Sequence, residues 1–381
     1  MKSHTVRQVS WAPGLLRVEW DGGEVSEFAS LWLRDNLQQD RDPHSGQRLV
    51  DIADLPAEPR IRSASATAGT IRVQWQNEAD TAAFDIAWLA ANSLADPELR
   101  PELEPRLWLE GASLDPKRDL AWTGLKELQG DAQARLRWLT RLLQDGIAFV
   151  SGLPAEESAL LETVSLVGRA CETNYGLVFD VRSVPQPENL AYSDLGLGLH
   201  TDNPYREPVP GFQALHALVT SPDAGDSLFA DGFALAEHLR DKAPDDFALL
   251  TTTPVPFQFR SAEADLLAER PLIQLSCRGN VSAVHYNSRS IAPLRLSARN
   301  AEKFYRAYRR LAELLRMQRF HLKCRLEDGD LVVFDNQRTL HGRTSFSSAQ
   351  HPRHLRGCYL TRDSVYSETA VLRRRVQEGL R

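Results

Sequence analysis

Leu195-Gly196-Leu197-Gly198-Leu199-His200-Thr201-Asp202-Asn203-Pro204-Tyr205 is the stretch on which both fold and chemistry turn. His200 and Asp202 are one residue apart, so on a strand both side chains point to the same face of the sheet. A third donor has to come from a distant strand. His341 fits, because Val332-Val333-Phe334-Asp335-Asn336-Gln337-Arg338-Thr339-Leu340-His341 runs from an apolar strand through a polar turn into a histidine. Two imidazoles and one carboxylate occupy one face of an iron ion and leave the other open, the donor set of non-heme Fe(II) oxygenases. Further on, Arg353 can return on a neighbouring strand and clamp a carboxylate bidentately. An HxD triplet alone carries little, since the chain has 10 histidines and a half-buried His bonded to a nearby Asp is the bland alternative. The surrounding sequence decides.

Composition sets the outer bounds. The 381 residues exceed what one core usually supports, so two domains are expected. Hydrophobic content of 42% and charged content of 25% are ordinary for a globular protein. A net charge of −6 argues against a nucleic-acid partner, which would want a basic face. No apolar run approaches the roughly 18 residues that span a bilayer. Met1 to Arg7 lacks the apolar segment of a secretory signal. Cys171, Cys277, Cys324 and Cys358 are scattered without a CxxC, so neither a disulfide framework nor a cysteine zinc site is expected. The expectation is a reduced, cytoplasmic protein, away from membranes, with a small-molecule substrate.

Residues 1–95 read as a small β-rich domain. Leu15–Trp20 and Thr70–Trp75 alternate as half-buried strands do, and Asp21-Gly22-Gly23 supplies a turn. Ser30–Asn36 and Ile86–Ala90 are apolar enough to pack as short helices. The Pro- and Glu-bearing stretch 96–105 reads as a linker. No internal repeat is evident. From 106 to 381 the pattern is that of a catalytic domain. An amphipathic helix over 131–143 leads into a buried strand at 146–150, and Ser297 caps a helix running to about Arg319. Short strands with turn signals come between and after. The fold class expected is mainly β with flanking helices (α+β), the catalytic domain being a double-stranded β-helix, or jelly roll.

Two further blocks, Gly225-Asp226-Ser227-Leu228-Phe229-Ala230-Asp231-Gly232-Phe233 and Asp335–Arg343, follow the His200 segment in order. Together the three resemble the γ-butyrobetaine hydroxylase and trimethyllysine hydroxylase family of Fe(II)/2-oxoglutarate dioxygenases, cousins of the taurine dioxygenases. Trp32-Leu33-Arg34-Asp35-Asn36 and His44–Leu49 extend the resemblance through the first domain. It implies Fe(II) on His200, Asp202 and His341, with 2-oxoglutarate and O2 as cosubstrates. Arg353, Ser227 and Leu215 would meet the 2-oxoglutarate, with Arg343 equally suited to a supporting role. Relatives dimerise, so a homodimer is implied.

The resemblance also implies a substrate pocket. Tyr175, Phe179, Tyr192 and Tyr359 match positions that cage a trimethylammonium group, with Phe179 where relatives usually carry Trp. A cation without hydrogen-bond donors is best held by π faces, at about 0.5–2 kcal/mol per contact. Core packing is the alternative role for these rings. Asn189 is retained upstream. The anionic end departs from the carnitine-forming pattern: Asn203, Asn287, Ser288 and Arg289 offer extra donors, and a phosphonate wants more of them than a carboxylate does. The narrow expectation is hydroxylation of 2-(trimethylammonio)ethylphosphonate at the carbon bearing phosphorus. The alternatives are a γ-butyrobetaine hydroxylase forming L-carnitine, and a non-catalytic quaternary-ammonium binding protein. A taurine-like sulfonate dioxygenase would have no use for the cage.

In that family a CxCxxC run and a distant His hold a structural zinc in the first domain. Here Leu37, Gln39, Asp42 and Asp80 stand at those positions, and none offers the thiolate or imidazole zinc favours. The domain is expected to carry no zinc. Elemental analysis of metal-stripped, iron-reconstituted protein should find none, and one zinc per chain would refute this reading.

Overall fold

The computed structural model describes residues 5–93, 103–182, 196–221, 225–345 and 353–379. They form two compact units, 1–101 and 102–381. Most of the expected linker, 96–105, lies outside the described residues.

The first unit contains two three-stranded antiparallel sheets. Strands β1 (Val6–Ala12), β2 (Leu15–Trp20) and β3 (Val25–Ala29) run into helix α1 (Ser30–Asp35). Strands β4 (Ile61–Thr67), β5 (Thr70–Trp75) and β6 (Thr81–Asp85) run into α2 (Ile86–Ala91). Burial alternates identically along β2 and β5, and again along β3 and β6. The unit is therefore a β-β-β-α motif built twice, which corrects the expectation of no repeat. Inward positions are shared, as in Arg17-Val18-Glu19-Trp20 and Arg72-Val73-Gln74-Trp75, where the exposed Arg17 and Arg72 also match while the half-exposed Glu19 and Gln74 diverge. One apolar core joins the copies, and Trp75 Nε1 donates to Ser30 Oγ at 2.8 Å. Leu37 is buried in that core, and the Asp42 carboxylate accepts from the backbone of His44 and Ser45.

The second unit is a pair of facing sheets. The larger runs in the order β10 (Phe179–Arg182), β21 (His354–Leu360), β12 (Phe212–Val219), β19 (Leu331–Asp335), β8 (Ile147–Ser151) and β7 (Ala121–Gly124), with β9 (Ala170–Cys171) also on β21. The smaller runs β11 (Leu197–His200), β20 (Thr339–Arg343), β13 (Ser227–Asp231) and β18 (Leu322–Cys324). Ile147, Phe149, Leu215, Phe229, Val332 and Phe334 fill the space between them. Phe229 meets Phe149 and Phe334 edge-on, at 6.5 and 5.6 Å between ring centroids. This is the mainly β jelly roll expected. Because β19 is covered on both faces, it reads as a continuous apolar run.

Helices close the outside. Against the larger sheet lie α5 (Ala132–Asp145), α6 (Ala159–Val164) and α10 (Arg362–Gln377), with α3 (Pro116–Asp119) and α4 (Leu125–Gly130) flanking β7. Asp131 caps α5 through the backbone of Gln133 and Ala134, and Gly146 at φ 75° ends it. Beside the smaller sheet are α7 (Gly232–Lys242), α8 (Pro244–Thr252) and α9 (Ala298–Arg316), with hairpins β14 (Val255–Arg260)–β15 (Asp265–Arg270) and β16 (Ile273–Leu275)–β17 (Val281–Val284). Ser297 caps α9 as expected, but the helix stops at Arg316 and a 3-10 turn follows over Gln318–Phe320. Among the described residues no helix is long and apolar enough to cross a membrane.

Between β19 and β20 the chain passes from one sheet to the other, and Arg338 in that turn is fully buried. Its Nε and Nη2 donate to Asp231 at 3.0 and 2.8 Å, and its remaining donors meet the carbonyls of Gln144 and Arg106. Asp231 also accepts from the backbone of Trp108 and Phe233. Removing one member of such a pair leaves a buried charge, costing about 3–5 kcal/mol. Asp231→Ala should therefore lower the denaturation midpoint sharply. Adding Arg338→Met should recover part of the loss. A single variant as stable as wild type would contradict this account.

Candidate functional site

His200 is the last residue of β11 and His341 lies directly opposite it on β20. That register brings the two rings to 4.3 Å between centroids. Asp202 arrives differently from the expectation. The strand ends at His200, so the same-face rule for alternate strand residues does not position the carboxylate. Instead, Asn336, fully buried in the β19–β20 turn, grips the Asp202 backbone at two points: its Oδ1 accepts from Asp202 N at 2.7 Å and its Nδ2 donates to Asp202 O at 3.0 Å. Thr201 is tied down as well, donating its N–H to Tyr286 O and accepting the Tyr286 N–H on its hydroxyl.

The result is a cluster in which one ligand atom each from His200, Asp202 and His341 lies within 4.8 Å of the others. Nδ1–H of His200 donates to Gly198 O at 3.0 Å, and its Nε2 points toward Asp202 Oδ1 at 3.3 Å. Tyr359 donates to Asp202 Oδ2 at 2.8 Å, which orients the carboxylate. Burial opposes ionisation of Asp202, but the two imidazoles and the Tyr359 hydroxyl overcome it and hold the carboxyl well below the usual range. Burial and the neighbouring His200 push the His341 imidazole down, to about 3. A neutral imidazole and an ionised carboxylate are the forms that bind a metal. The donor set and its orientation fit Fe(II).

The cluster opens into a pocket between the two sheets. Its wall includes Arg353, just before β21, whose Nη2 donates to Ser227 Oγ at 3.3 Å. Burial, and then the nearby Arg343, lower the Arg353 pKa to about 10, which leaves the guanidinium charged at neutral pH. Leu215 lines the same pocket, and so does the buried Arg343. Tyr175, Phe179 and Tyr359 line the pocket too, Phe179 and Tyr359 lying 5.1 Å apart at their ring centroids. Gly357 makes that pair possible, since a Cβ there would come within 2.6 Å of the Phe179 ring. Asn189 and Tyr192 lie outside the described residues.

The four anion candidates are not brought together. Asn203 lines the pocket in the left-handed region, at φ 54°, which Asn tolerates better than most residues. The Asn287 amide is turned away, its Nδ2 donating to Thr201 O at 3.2 Å. Ser288 and Arg289 border an adjoining groove with Arg316 and Lys323 rather than the pocket itself. Arg289 is nevertheless close enough that Asp202, Tyr205 and Tyr175 partly offset the lowering of its pKa by burial. It has no hydrogen-bond or ion-pair partner among the described residues.

Three contributors were missed in the sequence. Gln213 lines the pocket beside Leu215, and period two along β12 predicts it once Leu215 is known to face inward. Asn336 sits inside a quoted block, but nothing local says that its amide reaches Asp202. Tyr205 is buried behind the pocket and bonds to both Tyr175 and Asn203.

Comparison with known proteins follows the same lines. The family described as "Taurine catabolism dioxygenase TauD, TfdA family" matches residues 116–359. "Gamma-butyrobetaine hydroxylase-like, N-terminal" matches residues 8–90. A gamma-butyrobetaine dioxygenase from Pseudomonas sp. (strain AK-1) is 36% identical over 96% of this chain and 95% of its own. A trimethyllysine dioxygenase from Meyerozyma guilliermondii is 25% identical over 97% of this chain and 96% of its own. Among solved structures, an asparagine oxygenase superposes with a TM-score of 0.49 at 18% identity, over 62% of this chain and 83% of that one.

Since Asn336 fixes Asp202 from outside the ligand set, Asn336→Ala should weaken metal binding about 10- to 100-fold, the scale of lost supporting contacts. Fe(II) or Mn(II) titration measures this directly. Unchanged affinity in a folded variant would remove Asn336 from the site.

Proposed function

The chain belongs to the TauD, TfdA family and is an Fe(II)- and 2-oxoglutarate-dependent dioxygenase, and from that premise we propose that it hydroxylates a small trimethylammonium zwitterion. The carrying observation is the meeting of the His200–Asp202–His341 cluster with the rings of Tyr175, Phe179 and Tyr359 in one pocket. When bound, the iron, with 2-oxoglutarate and O2, supplies an oxidant able to take hydrogen from an unactivated C–H bond.

The chain's residues do the rest. His200, Asp202 and His341 hold the metal by one face. Arg353, steadied by Ser227, pairs with the far carboxylate of 2-oxoglutarate, and Leu215 packs on its chain. Tyr175, Phe179 and Tyr359 offer π faces to the quaternary ammonium, which cannot hydrogen-bond. Phe229 and Phe334, packed beside His341, keep water from the reacting centre. The names of the relatives from Pseudomonas and Meyerozyma support a trimethylammonium substrate.

For the anion, we favour a phosphonate, with 2-(trimethylammonio)ethylphosphonate as substrate and the carbon bearing phosphorus as the site of attack. Asn203, and the charge of Arg289 near Asp202, which has no partner among the described residues, support it. Asn287 is turned away and Ser288 borders the adjoining groove, so neither adds a donor to the pocket. A second reading, γ-butyrobetaine hydroxylation, is supported by the relative from Pseudomonas.

Succinate release over a panel of trimethylammonium acids separates the two. The phosphonate should turn over faster than γ-butyrobetaine, and Arg289→Ala should cut kcat/KM for the phosphonate about ten- to hundred-fold, with a smaller effect on the carboxylate. Much faster conversion of γ-butyrobetaine by the wild-type protein would instead establish the carboxylate reading.

A further inference from the structure

Behind the pocket wall, three polar side chains form a chain of hydrogen bonds whose direction follows from the placement of the Asn203 amide oxygen toward Tyr205. Tyr205 donates its single hydroxyl proton to Asn203 Oδ1 at 2.7 Å. Its oxygen lies 3.1 Å from the Tyr175 hydroxyl. Because the Tyr205 proton is already committed, Tyr175 must be the donor in that second bond. The chain therefore runs from Tyr175 to Tyr205 to the Asn203 carbonyl. The Asn203 amide is thereby oriented: Oδ1 is occupied, and Nδ2 is buried with no partner among the described residues, in a residue that is 4% exposed and lines the pocket.

We infer that Tyr205 is a specificity-determining positioning residue, whose hydroxyl locks Asn203 so that the pocket presents a hydrogen-bond donor and therefore selects a ligand carrying an oxyanion. The inference rests on the zwitterion reading above. An unpinned carboxamide can turn either its oxygen or its nitrogen to a ligand, and so discriminates poorly between acceptor and donor. A pinned one leaves a buried donor unmet unless the ligand brings an acceptor, and such buried unmet groups are what give polar sites their discrimination. The same chain draws the Tyr175 proton away from the substrate. That leaves Tyr175 to act through its ring, as a cage for a group without hydrogen-bond donors requires. Tyr205 is itself held in place by stacking on Phe259, at 5.2 Å and 21°. Tyr175 meets the same Phe259 edge-on at 5.9 Å. Tyr205 does not border the pocket, so it acts on a ligand through Asn203 and the Tyr175 hydroxyl, while the Tyr175 ring stays in place.

Tyr205→Phe tests this, because it keeps the ring stacked on Phe259 and removes only the hydroxyl. The readout is ligand binding to the anaerobic Fe(II)–2-oxoglutarate enzyme, followed by the change in its visible band. Three probes are used: 2-(trimethylammonio)ethylphosphonate, γ-butyrobetaine, and tetramethylammonium as a cation without an anion. In Tyr205→Phe, affinity for the better-bound zwitterion should fall about tenfold while tetramethylammonium binds as it does to wild type. KM for that substrate should rise more than kcat falls. Asn203→Ala should produce the same selective loss, and adding Tyr205→Phe to it should cost little more, since both act through one amide. Equal loss for all three probes would show a general disturbance and overturn the inference. Unchanged zwitterion affinity in Tyr205→Phe would overturn it while leaving the function reading intact. If wild type binds neither zwitterion, the function reading itself fails and takes this inference with it.

Discussion

The turn Asn336-Gln337-Arg338 between β19 and β20 is the constraint on which the catalytic unit depends, because it carries the chain from the larger sheet to the smaller one and anchors both. Arg338 is tied to Asp231 and to the carbonyls of Gln144 and Arg106, so one buried guanidinium links the smaller sheet to the end of α5 and to the segment before Trp108. Gln337 donates to Val209 O and accepts from Arg362 at the start of α10. Asn336 holds Asp202 and, through the same Nδ2, Pro210 O. A buried polar network is favourable only when its members are satisfied, and here nearly every donor of the turn has a partner. Distortion of the turn would therefore reach the core and the metal cluster together.

That arrangement explains how an exposed-looking sequence feature becomes a rigid site. The carboxylate ligand lies beyond the end of its strand, where local backbone preferences alone would leave it poorly placed. Its position is set by an amide from the turn that, a few residues later, supplies the second imidazole. The three donors thus share one frame, and the pairing of His200 with His341 in adjacent strands completes it. Sites that hold a metal by one face need this rigidity, because the open face contributes nothing to holding the geometry.

The pocket beyond the cluster divides its work by chemistry. One side presents aromatic faces, made compact by the absence of a side chain at Gly357. Arg353 with Ser227 lies elsewhere on the wall, where the proposed function gives it to the cosubstrate, and Asn203 presents a single amide. Arg289 adds a charge from the adjoining groove without entering the pocket wall. On the proposed function, such separation would align a zwitterion by its two ends, with the carbon between them facing the reacting centre.

Much of this was legible in the chain. Period-two alternation marked Leu15–Trp20 and Thr70–Trp75 as strands, helical spacing marked α5, spacing with the Ser297 cap marked α9, and the HxD with its distant His marked the candidate metal cluster. These signals are local, or depend on residue types that few other chemistries require. What stayed hidden depended on long-range geometry. The repeat of the first unit lies in its burial pattern and in scattered identities such as Val18 and Val73, Trp20 and Trp75, and Phe28 and Phe84. The direction of the Asn287 amide, the displacement of Ser288 and Arg289 into a neighbouring groove, and the grip of Asn336 on Asp202 are set by contacts between residues far apart in sequence. The sequence by itself determined the donor types, the fold class and the family. Only the tertiary structure decided which polar atoms were already paired and which remained free to face a ligand, because a side chain's hydrogen-bonding capacity is finite and is allotted by whatever packs against it.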